Sequence, residues 1–200
     1  MISLDALKEL KPFQARAIIE ELRKGSVPVE YVPVFTVGRQ KWLAYIEDDL
    51  TNYIAEGGAK VRFISGDYGD GKTHFMFVIR HLAMEKGFAV SFVVLTRDVP
   101  IHKFETVYQS IVRQLQGNFD GVGIRNLLTA WLDALSPEFQ DAKAEAATEK
   151  CTALAEEFRD IPDMDINFAN ALAALVSNRF APMAEGEDEE SRKADREILM

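Results

Sequence analysis

Gly66-Asp67-Tyr68-Gly69-Asp70-Gly71-Lys72-Thr73 is the stretch that decides how this chain is read. Its spacing, G-x-x-x-x-G-K-[ST], is that of a loop that cradles phosphate groups. Glycines at the ends let the backbone turn tightly, so that its N–H groups converge on an anion. Lys72 is spaced to reach the outer phosphates as a point charge. The Thr73 hydroxyl is spaced to sit on Mg2+. Asp67 and Asp70 bring negative charge into an anion site, so both side chains are expected to point outward. Tyr68 either shields the phosphates or packs, and His74 either caps the loop or packs behind it. The candidate nucleotide-binding residues are therefore Gly66, Asp67, Tyr68, Gly69, Asp70, Gly71, Lys72, Thr73 and His74, with Thr73 toward the metal.

The flanks supply the context that the pattern requires. Lys60-Val61-Arg62-Phe63-Ile64-Ser65 reads as a short buried strand. From Thr73 to Lys86 the apolar residues Phe75, Val78, Ile79 and Leu82 recur at helical spacing. Gly87 closes that helix, and Phe88-Ala89-Val90-Ser91-Phe92-Val93-Val94-Leu95 reads as a second strand. A strand, helix and strand in this order predict a right-handed crossover and a parallel pair. The expected fold class is α/β: a P-loop nucleotide-binding core with an incomplete parallel sheet, followed by a mostly helical region. Helices are predicted over 4–24, 39–56, 104–116, 124–135, 137–158 and 165–181, with the acidic run 185–190 as a loop and a further helix beginning at 191. Pro28 and Pro33 make 26–35 an extended linker. The predicted domains are residues 1–35, 36–117 and 118–200.

Composition narrows the class further. Of 200 residues, 48% are hydrophobic and 28% charged, which is ordinary for a folded soluble chain. No apolar run approaches the roughly 20 residues that cross a bilayer, and the first residues lack the basic-then-apolar shape of a signal peptide. A cytoplasmic location without membrane contact is expected. The net charge of −9 is uneven: residues 138–200 carry 16 acids and seven bases, whereas residues 37–113 carry nine acids and ten bases. A polyanion is thus disfavoured at the tail but not beside the loop. Cys151 has no partner for an internal disulfide and reads as a packing or surface residue. His81 and His102 lack the spaced ligands that zinc needs. Trp42 and Trp131 fall at apolar helical positions and read as core.

One part expected of a nucleotide hydrolase is missing. Such an enzyme places a carboxylate after a second apolar run, to hold Mg2+ and orient water. The only candidate is Asp98, behind Val93-Val94-Leu95-Thr96-Arg97, with a loop acid or helix cap as its other reading. Two strands are also few for a sheet. The simplest expectation is that the chain is the front part of a larger ATPase.

Val37-Gly38-Arg39, Arg62-Phe63-Ile64-Ser65, the loop through His74, and Ala83-Met84-Glu85-Lys86-Gly87-Phe88-Ala89-Val90-Ser91 resemble the ATP-binding proteins of BREX phage-defence systems. Ala15-Arg16-Ala17-Ile18-Ile19-Glu20-Glu21-Leu22-Arg23-Lys24-Gly25 and Phe104-Glu105-Thr106-Val107-Tyr108 extend the resemblance over about residues 14–116. It implies an AAA+-related ATPase that takes ATP and Mg2+, and that works with DNA-modifying defence proteins or as a homo-oligomer, reaching DNA through that assembly. It also implies that Val37, Gly38 and Arg39 flank the adenine, with an ordinary helix-start role as the other reading of Arg39. Two other functions stay open: a non-catalytic scaffold stabilised by nucleotide, and a small phosphotransferase using Asp98.

Overall fold

The structure, a computed structural model, describes residues 10–183 and 188–199. Residues 4–9 of the first predicted helix and 185–187 of the predicted acidic loop lie outside these. Two compact units emerge. One holds the described residues up to Pro100 together with Gln116–Asn118; the other holds Ile101–Leu115 and those from Phe119 onward.

In the first unit, α1 spans Pro12–Arg23, with Pro12 at its start. A proline there costs nothing, because the first helical N–H has no partner to lose. The same reasoning corrects the extended linker. Val29–Tyr31 forms a 3-10 turn and Val32–Phe35 a single helical turn, α2, with Pro33 in the first turn where it is tolerated. Val32 is fully buried and anchors this turn. α3 spans Gln40–Asp49 and continues as a π-helical turn over Leu50–Ile54. α4 spans Lys72–Glu85 and packs against α2 and α3 through buried Phe75, Val78 and Ala83.

The α/β expectation is overturned. Among the described residues there is no strand and no sheet; an isolated antiparallel bridge joins Val90 to Gln116. There Val90 N–H donates to Gln116 O at 2.7 Å, and Gln116 N–H donates back at 2.8 Å. The physical reason lies in burial. Val61 and Phe63 of the first apolar run are 77% and 94% exposed, and Val94 of the second is 62% exposed. A strand satisfies none of its own backbone groups, so an apolar run becomes one only where neighbours pair with it and cover its faces. The two runs do not pair with each other. The first is instead pinned by charge: Lys60 Nζ and the Arg62 guanidinium both donate to the carboxylate of buried Asp49, at the end of α3. The second is held by Phe92, whose ring stacks on Phe77 of α4 at 4.5 Å.

The second unit is helical throughout its regular structure. α5 spans Phe104–Arg113, α6 Ile124–Phe139, α7 Ala144–Asp160, α8 Ile166–Phe180 and α9 Glu189–Leu199. The break predicted near 136 falls later: α6 runs through Pro137, and α7 begins at Ala144. α8 is the central element, packed by α6, α7 and α9. Leu175 and Val176 are buried completely or nearly so, with Leu132, Cys151 and Phe158 around them. Phe139 stacks on Phe180 at 4.2 Å. Asp165 caps α8, accepting from the N–H groups of Asn167 and Phe168 at 2.9 and 3.1 Å. At its other end, Arg192 of α9 donates to the carbonyls of Ala181 and Pro182 at 2.6 and 2.7 Å. Trp131 packs against this core as expected, whereas Trp42 is 65% exposed on α3.

Candidate nucleotide-binding loop

The loop from Gly66 to Gly71 leads directly into α4, and its tight path rests on glycine. Gly69 and Gly71 have φ of +92° and +77°, a region that side-chain-bearing residues rarely adopt. Gly71 is the residue that caps α4, and it offers no side-chain cap. The first turn of α4 also holds no acidic residue. Its leading N–H groups therefore keep the character of an anion site, with the positive end of the helix dipole behind them. Lys72 opens the helix and Thr73 follows it, exposed. Tyr68 projects fully into solvent.

Residues 35–39 form the wall beside this loop. Gly38 and Arg39 both have positive φ, +79° and +62°, and this double left-handed turn aims Arg39 at the loop backbone. Its guanidinium donates to Asp70 O at 2.5 Å and to Gly71 O at 3.3 Å. It also lies 5.1 Å from the ring centre of buried Phe75, a cation–π contact that fixes its plane. A side chain at position 71 would meet the Arg39 guanidinium at an ordinary 3.4 Å, so it is the left-handed φ of Gly71, not space, that calls for glycine here.

His74 packs behind the loop, one of its two expected roles. Its ring lies 5.1 Å from that of Phe35, and its Nε2 is 2.9 Å from Thr36 Oγ1. The Thr36 hydroxyl spends its proton on Val32 O at 2.6 Å, so the imidazole must be the donor, protonated at Nε2. Burial, and after it the nearby Arg39 charge, hold the His74 pKa below its ordinary value. A neutral ring follows.

One carboxylate of the loop behaves differently from expectation. Asp70 turns inward, and its Oδ2 accepts from the Asp67 N–H at 2.6 Å. Lys72 Nζ donates to the carbonyls of Gly66 and Asp67 at 2.9 and 2.6 Å. Asp98, the candidate metal carboxylate, sits in a turn built on Thr96, whose hydroxyl accepts from the Asp98 and Val99 N–H groups. No group of three or more His, Cys, Asp or Glu side chains that could hold a metal occurs among the described residues.

The donors present fit a polyphosphate. They are a glycine-built loop, uncapped helix amides and a lysine, and one loop amide already holds an anionic oxygen. The exposed Thr73 hydroxyl is the kind of oxygen that joins phosphate oxygens and water around Mg2+ in nucleotide sites. Sequence reasoning singled out the loop but missed Arg39 as the residue that grips its backbone. The Gly38-Arg39 pair was visible; the backbone that it grips, more than thirty positions away, was not.

The family model for the BREX system ATP-binding protein BrxC/D matches residues 10–196. The chain belongs to this family. The match covers both units, including the helices beyond residue 116, where the resemblance read from the sequence ends. No curated protein and no solved structure matches the chain. Among the described residues no helix is long and apolar enough to cross a membrane.

Proposed function

We propose that this BREX-family chain binds ATP through residues 66–74, with the phosphates on the loop amides and Lys72. The observation that carries this is the uncapped start of α4, with Lys72 and Thr73 side by side behind a loop of left-handed glycines. Lys72 would leave the Gly66 and Asp67 carbonyls for the outer phosphates. Thr73 would hold Mg2+, which supplies charge neutralisation between the phosphates when bound. Val37 is 90% exposed, and with Gly38 and Arg39 it lies on the wall from which a base could be flanked. The family description supports ATP binding within a BREX system; the wider role proposed on that basis is that of an ATP-binding module in an anti-phage defence assembly, acting in the cytoplasm with DNA-modifying partners or further copies of the chain.

The test is binding of a fluorescent ATP analogue with Mg2+, wild type against Lys72→Ala. A charge-assisted contact of this kind contributes about 1.5–3 kcal/mol, so the variant should bind on the order of ten- to a hundredfold more weakly. Equal affinity in both proteins would overturn the assignment of Lys72.

A further inference from the structure

We infer that Asp70 is an internal ligand of the loop, an anion that occupies the cradle until a nucleotide displaces it. The inference rests on the nucleotide-binding reading of residues 66–74. One loop amide and the lysine are already engaged by the loop itself, while the leading amides of α4 stay uncapped. The Asp67 N–H donates to Asp70 Oδ2 at 2.6 Å, and Lys72 Nζ donates to Gly66 O and Asp67 O. The backbone that carries this carboxylate is fixed as well. Arg39 grips the carbonyls of Asp70 and Gly71, and buried Phe75 backs the Arg39 guanidinium. The fit is close: a side chain at position 66 would lie 2.7 Å from Asp70 Oδ2.

A phosphate arriving at this loop meets a negative charge already held on a loop amide. Two like charges cannot share one N–H, so the Asp70 side chain must rotate out before the loop closes on its ligand. The Asp70 backbone stays where Arg39 fastens it, so the change is confined to one side chain. Asp70 thus sets a threshold. A ligand with several phosphate charges and Mg2+ gains enough to expel the carboxylate, whereas a single phosphate does not. Asp70 is in this sense a specificity-determining residue of the site.

The experiment compares wild type, Asp70→Asn, Asp70→Ala and Lys72→Ala in titrations with the ATP analogue and with inorganic phosphate. The asparagine keeps the shape and removes the charge; the alanine removes both, and thermal melting checks that each variant folds. Both Asp70 variants should bind the analogue about tenfold more tightly than wild type, the scale of one charge-assisted hydrogen bond. They should also gain inorganic-phosphate binding that wild type lacks. Unchanged or weaker binding in the folded Asp70 variants, with Lys72 still required, would overturn the role of Asp70 and leave the loop assignment standing. Binding that ignores Lys72, or no binding by any of the four proteins, would overturn both. Tight binding by the Asp70 variants alone would support the inference most directly.

Discussion

In the helical unit Leu175 and Val176 are 1% and 0% exposed, whereas in the loop unit Phe63 and Val61 are 94% and 77% exposed. The loop unit is the richer of the two in branched and aromatic residues, so composition does not explain the difference. Backbone bonding does. A helix pairs its own N–H and C=O groups, so α8 needs only side-chain contacts from α6, α7 and α9 to be complete. The apolar run at 60–65 has no such self-sufficiency. It is held at one end by Lys60 and Arg62 on Asp49, through charge rather than by burial of its apolar residues. The lesson is that one apolar pattern has two structural values, depending on whether its backbone closes on itself.

The contrast can be broken most sharply by truncating one residue from each region. Leu175→Ala should cost about 2–5 kcal/mol through the cavity that it leaves. Phe63→Ala should change stability by no more than about 0.5 kcal/mol, as for an exposed surface residue. Denaturant melts of both variants give the comparison; a cost at Phe63 as large as that at Leu175 would reverse it. A smaller effect tests whether α8 owes its stability partly to its start. Asp165→Ala removes the cap on the Asn167 and Phe168 amides and should cost about 1 kcal/mol.

The smallest effect lies in the loop unit and depends on pH. The folded form holds the His74 pKa down, so the unfolded chain takes up that proton first as pH falls. The contribution of the neutral ring is complete above the ordinary histidine pKa of about 6.5 and declines below it, toward the lower folded value. His74→Gln should therefore flatten the loss of stability on mild acidification, seen as melting temperature against pH. An unchanged slope would show that His74 does not titrate on unfolding.

What could be read from the sequence follows the same division. The helices from Phe104 to Phe180 were visible because a period of 3.6 is a local property. The loop at 66–73 was visible because its glycines, lysine and threonine stand at fixed offsets. The sheet was predicted from runs such as Lys60–Ser65, whose pattern does not say whether a pairing neighbour exists. The turns at Val29–Phe35 were hidden because a proline excludes the helix interior but not its first turn. The direction of the Asp70 side chain had no signal in spacing at all, because it rests on a contact with the Asp67 amide that residue types do not specify.

Cys151 is the one cysteine in the sequence, 4% exposed in the core around α8, and burial pushes its thiol pKa up. A thiol reagent attacks only a thiolate that it can reach, so labelling waits until this core opens. The residue is a natural clock: its rate of modification under native conditions reports how often the helical unit opens, with no engineered probe and no competing thiol to correct for.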